Sequence, residues 1–148
     1  MLRGRLALAS VYLFFVCLLG LMPQPAARPC SPDTLRKVGN LIEKAPGMKE
    51  KLNCSLYTPT DQDFETCPKS TLKCLANETK VLIQEWEAVN LRVIRPYRNL
   101  SKNLEILSAE INQSESECRQ CEFLNEQNAE EFLKQLKSTL EIMNRRYC

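Results

Sequence analysis

The chain contains no histidine, and that absence narrows its chemistry first. Histidine is the commonest general base near neutral pH and the commonest zinc ligand. A hydrolase built on this chain would need a carboxylate pair or a cysteine nucleophile, and no spacing singles one out. Glu130 and Glu131 are neighbours on a predicted helix, so they face different directions. Net charge is also lacking: Lys and Arg number 20 against 18 Asp and Glu, and Arg3 and Arg5 fall in a leader that is removed. The two signs then balance, which argues against nucleic-acid binding and against a strong electrostatic membrane patch. Period-two alternation and β-branched runs are missing too, so strand content is expected near zero, at most a short pair between connecting loops. There is no internal repeat and no low-complexity tract.

Long apolar runs are absent after residue 22. The one before it, Leu6–Met22, follows Arg3 and Arg5, contains Phe14 and Phe15, and leads to Ala26 and Ala27. This is the pattern of a secretory signal peptide over 1–27, leaving a mature domain over 28–148. A membrane anchor needs about 20 apolar residues, and the run approaches that length. Small residues and Pro23, Pro25 and Pro29 follow at once, however, so the expectation is a secreted protein with no membrane insertion after cleavage. The remaining ~120 residues make one compact domain with a modest core.

Cysteine is plentiful. Of 8 in the chain, Cys17 lies in the leader, which leaves Cys30, Cys54, Cys67, Cys74, Cys118, Cys121 and Cys148. In a small exported domain they read as a disulfide framework with one thiol left over. Cys67-x6-Cys74 with Cys118-x2-Cys121 offers four thiolates to a structural zinc, and Cys-x-x-Cys is a redox motif only in a βαβ setting. Export favours bridges over both, and spacing alone does not choose among the three ways of pairing four cysteines. Four sequons, at Asn53, Asn77, Asn99 and Asn112, mark a glycoprotein.

Four helical stripes can be read in order. Ser31-Pro32-Asp33 is a helix start, and Leu35, Val38, Leu41 and Ile42 stripe a helix over roughly 32–45 that Pro46-Gly47 ends, with Met48 and Leu52 adding a turn. The stretch 53–69 carries Pro59, Asp61, Asp63 and Pro68 without a helical period. Leu72, Leu75, Thr79, Leu82, Trp86 and Val89 stripe the second helix, with Trp86 expected in the core. Arg95-Pro96 marks a break, then Leu100, Leu104, Leu107 and Ile111 stripe the third. After the polar Gln113–Glu117, the final helix shows Ala129, Phe132, Leu133, Leu136, Leu140 and Met143, acids early and bases late, as the helix dipole favours. Such stripes bury one another as an all-α four-helix bundle. A saposin-type lipid-binding module, also exported and cysteine-rich, is the alternative; narrow stripes and charged outer faces favour a bundle that closes on itself.

Leu56-Tyr57-Thr58, Cys67, Lys73-Cys74, Cys118-x2-Cys121-Glu122 and Glu131-Phe132-Leu133 resemble the interleukin-15 family. The similarity spans the mature chain and is strongest over 56–85 and 112–143. It implies a short-chain bundle in up-up-down-down order, bridges Cys67–Cys118 and Cys74–Cys121, no cofactor, and signalling in immune cells by receptor assembly. In that order the two termini share one end, so Cys30 can bridge Cys148. Cys54 sits at the far end of the first helix from Cys30, too distant to pair with it, and is the odd thiol. The resemblance assigns a private interleukin-15 receptor α-type chain to Tyr57, Glu78, Val81, Glu85 and Glu122, where acids steer onto a basic receptor patch. A glycan at Asn77 would stand beside Glu78. A shared β chain is assigned to Asn103 and to an aspartate position that here is Thr34, with Asp33 one place, about 100°, away. A shared γ chain is assigned to a glutamine position that here is Glu141, a carboxylate that accepts but does not donate.

Overall fold

The computed structural model describes residues 29–48, 53–89, 92–112 and 117–148. The leader, its cleavage point, Leu52 and the first part of the Gln113–Glu117 link lie outside these residues. Helix α1 spans Pro32–Lys44, with the Ser31 hydroxyl accepting the Thr34 N–H and Pro32 in the first turn. A 3₁₀ turn, Ala45–Met48, takes over one residue before Pro46. Strand β1 is Leu56–Tyr57, α2 is Asp61–Thr66 and α3 is Pro68–Ala88. A 3₁₀ run, Arg92–Tyr97, leads to α4, Leu100–Glu110. A 3₁₀ turn at Cys121–Phe123 and strand β2, Glu126–Gln127, precede α5, Ala129–Tyr147.

Helix α2 departs from the sequence reading, which gave 53–69 no helix. Six residues are too few to show an apolar period, and only Phe64 is buried. A capping box forms it instead. Thr60 Oγ1 accepts the Asp63 N–H at 3.2 Å while the Asp63 carboxylate accepts the Thr60 N–H at 2.8 Å, satisfying two of the donors left open at a helix start.

Chain direction follows from named contacts. Ser101 Oγ donates to the Ala76 carbonyl and Ser108 Oγ to that of Lys69, so α4 runs antiparallel to α3. Ser31 N–H donates to Asn144 Oδ1 and Cys30 is bridged to Cys148, so α5 runs antiparallel to α1. Lys44 Nζ donates to the Tyr97 hydroxyl, which puts the ends of α1 and α3 together. Arg146 meets Glu65, which puts the end of α5 at the start of α3. The order is up-up-down-down, as expected. Both crossover links are long, because α4 ends at Glu110 and α5 begins only at Ala129.

The stripes face inward. Val38, Leu41, Leu72, Leu75, Leu82, Trp86, Leu104, Phe132, Leu136 and Leu140 are buried, together with Leu56 of β1 and Phe64 of α2. Each such side chain contributes about 1.5–3 kcal/mol relative to exposure. Val89 is the exception to the predicted stripe: it lies one residue past α3 and is exposed. β1 and β2 pair antiparallel, Leu56 opposite Gln127 and Tyr57 opposite Glu126, and so join the two crossovers. No helix among the described residues is long and apolar enough to cross a membrane.

Candidate functional site: an acidic edge beside α3

Glu78, Val81 and Glu85 are spaced at i, i+3 and i+7, so they share one stripe of α3. The adjoining side of that helix, ~40–120° round from Glu78, is buried through Leu72, Leu75, Thr79, Leu82 and Trp86. The stripe is therefore held rigidly and faces outward. Bridges staple its flank: Cys74, one turn before Glu78, is joined to Cys121, and Cys67 to Cys118, with Cα separations of 5.4 and 6.0 Å. Glu122 is thereby fixed next to the helix. Tyr57 enters from the other crossover, its N–H donating to Glu78 Oε2 at 2.8 Å. Thr58 N–H donates to the Asn125 carbonyl at 2.8 Å. One carboxylate thus ties β1 to α3, and the strand pair ties β1 to β2.

The electrostatics of this edge are one-sided. Partial burial pushes the Glu78 carboxyl above its ordinary value; the Tyr57 N–H pulls against that, and the charges of Glu122 and Glu126 push it further up. Among the described residues none of Glu78, Glu85, Glu122 and Glu126 has an ion-pair partner, whereas Glu87, Glu130 and Glu131 do. Two apolar side chains stand among the acids: Val81 is 40 % exposed and Phe123 73 %. The edge thus combines like-charged carboxylates with exposed apolar side chains. It is suited to docking a cationic surface that also carries apolar side chains.

All five residues assigned to an α-receptor fall along this edge, and the structure adds Glu126 and Phe123. Glu126 enters by its strand pairing with Tyr57, which no local pattern shows. Phe123 lies in no apolar stripe of the sequence; it closes the short 3₁₀ turn Cys121–Phe123 and is exposed.

Among the described residues Cys54 is the free thiol, half-buried. Burial, then the charge of Glu85, pushes its pKa up, so little reactive thiolate forms at neutral pH.

The other assigned residues lie elsewhere. Asp33, Thr34 and Asn103 line a groove between α1 and α4, with Lys37, Ile106 and Glu110. Thr34 needs correcting as a surface contact. Only 3 % of it is exposed, and its hydroxyl is bonded to Ser31 Oγ at 2.7 Å, because the helix cap draws it inward. Asp33 is exposed and paired with Arg36 at 2.8 Å. Glu141 lines a shallow groove with Leu35, Asn144 and Arg145 and lies 3.9 Å from Lys137. Asn53, Asn77, Asn99 and Asn112 are all exposed.

Comparison with known proteins gives one family: the sequence model described as Interleukin 15 matches residues 12–144. No curated protein and no solved structure matches significantly.

Proposed function

Because the chain belongs to the interleukin-15 family, a family of secreted cytokines, we propose that it acts by capturing a private α-receptor on the acidic edge beside α3. Shared signalling chains are then recruited by the flanking helices. The observation that carries this reading is the unpaired state of Glu78, Glu85, Glu122 and Glu126 around exposed Val81 and Phe123. Unpaired acids accelerate encounter with a basic partner, and the stapled backbone that carries them needs little ordering on docking. The β-chain contact falls to Asp33 and Asn103, since the Thr34 side chain is turned inward. The γ-chain contact falls to the Glu141 groove. There a carboxylate requires a donor from the receptor, where an amide would supply one of its own.

The test is binding of the secreted, glycosylated protein to immobilised α-, β- and γ-chain ectodomains, singly and in combination. Tight α-receptor binding that Glu78→Lys or Glu122→Lys weakens supports the reading. Tight binding indifferent to both reversals removes these residues from the site. The combinations show whether Glu141 is compatible with a γ chain.

A further inference from the structure

Asn77 stands at the border of the acidic edge, on the Val81 side. One residue along an α-helix turns ~100° and rises ~1.5 Å. Asn77 is therefore ~100° round α3 from Glu78 but only ~40° from Val81, which lies one turn and ~6 Å further along the axis. It is exposed, within an uninterrupted helix, and among the described residues its amide has no hydrogen-bond partner. Asparagine inside a helix costs roughly half a kcal/mol relative to alanine. Two asparagines of α5 and its cap repay that cost within the fold: Asn128 Oδ1 accepts the Glu131 N–H, and Asn144 bonds Ser31 in both directions. Asn77 does nothing comparable.

Its sequence context supplies a role outside the fold. Asn77-Glu78-Thr79 is an acceptor site for N-linked sugar in an exported chain. Thr79 is buried, its hydroxyl donating to the Leu75 carbonyl at 2.6 Å. Sugar is added to the nascent chain, before that burial, so the packed threonine is no obstacle. The folded helix then holds the sugar-bearing amide out in solvent.

We propose that Asn77 carries an N-linked glycan whose occupancy closes the acidic edge to the α-receptor, giving the cytokine a capped and an open form. This rests on the receptor reading above. The first sugar, bonded to Asn77 Nδ2, projects within a turn of Val81 and beside Glu78. A bulky, hydrated chain there excludes a partner that must desolvate Val81 and reach Glu78 and Glu85. Glycosylation thus acts as a built-in steric block against docking. Asn99 provides an internal control, since it precedes α4 and its side chain takes no part in the helix cap.

The experiment uses the full chain secreted from glycosylating cells, with occupancy at each sequon read by peptide mass spectrometry. Binding to immobilised α-receptor ectodomain is then measured for wild type, Asn77→Gln and Asn99→Gln. The expected result is sugar on Asn77, about tenfold or tighter binding by Asn77→Gln than by the occupied form, and no change for Asn99→Gln. An unmodified Asn77 in the secreted protein, or an occupied form that binds as well as Asn77→Gln, overturns the proposal while leaving the receptor reading intact. Failure of every form to bind overturns both.

Discussion

The acidic edge beside α3 and the groove between α1 and α4 both carry residues assigned to receptor chains, yet they are built differently. At the edge, Glu78, Glu122 and Glu126 crowd one another without cationic partners, and two bridges with a strand pair hold them in place. In the groove, Thr34 is satisfied by Ser31 and Asp33 by Arg36. The first surface is a cluster of one sign on a rigid frame; the second mixes signs, lined by Lys37 as well as Asp33 and Glu110, and two of its polar side chains are already bonded within the fold. Unpaired charge of one sign steers a complementary partner and raises its association rate and specificity more than its raw affinity, so the two surfaces are suited to partners in different degrees.

The comparison breaks most severely if the frame is removed. Cys74→Ser with Cys121→Ser opens a loop whose ends are 47 residues apart in sequence. It is expected to cost about 2–4 kcal/mol of stability, read by denaturant unfolding. α-Receptor affinity should fall beyond what the unfolded fraction explains, because Glu122 and β2 lose their anchor. Next in size is Phe123→Ser, a test of the apolar part of the edge. As an exposed side chain it should leave the melting temperature unchanged, while binding weakens by about 1–3 kcal/mol if it is an anchor.

Asp63 offers a smaller effect with a defined sign. Burial alone would raise its pKa, but the Thr60 N–H and the Arg119 guanidinium outweigh burial and hold it below the ordinary 3.8. Its stabilisation is therefore complete above that value and is lost as pH falls through the lowered native pKa. Asp63→Asn should cost about 1 kcal/mol at neutral pH and flatten part of the acid-unfolding profile. Glu78 runs the other way. Its pKa is raised above 4.5, so in the free protein stability declines as pH rises from 4.5 through the raised value. A cationic receptor requires the ionised form, and affinity should weaken as pH drops into that window; Glu78→Gln, which keeps an acceptor for Tyr57 N–H, should remove the Glu78 part of the dependence. The smallest effect belongs to the groove. Thr34→Val should cost about 1 kcal/mol of stability through the lost Ser31 contact and leave receptor binding where it was.

The helices were legible because their stripes are long. Leu72 to Trp86 runs over several turns, and every apolar step lands on the core side of α3. The extra helix α2 was not, because six residues carry no period, although Thr60-x-x-Asp63 is a capping signature that local reading can find. The site was legible only in part. Spacing places Glu78, Val81 and Glu85 on one face, but Glu126 joins them through a strand pair of two residues, whose register depends on the whole bundle. Thr34 was misplaced for a related reason: a short polar residue near a helix start can serve the cap or the surface, and composition does not distinguish the two.

One side-by-side measurement tests the central claim most directly: association of the secreted protein with α-receptor ectodomain for two double variants that add positive charge, Glu78→Lys with Glu122→Lys and Asp33→Lys with Asn103→Lys. The edge variant should lose binding by about a hundredfold or more, chiefly through slower association, and the groove variant should bind like wild type. Equal loss in both, or loss confined to the groove variant, would contradict the assignment of the acidic edge as the α-receptor site.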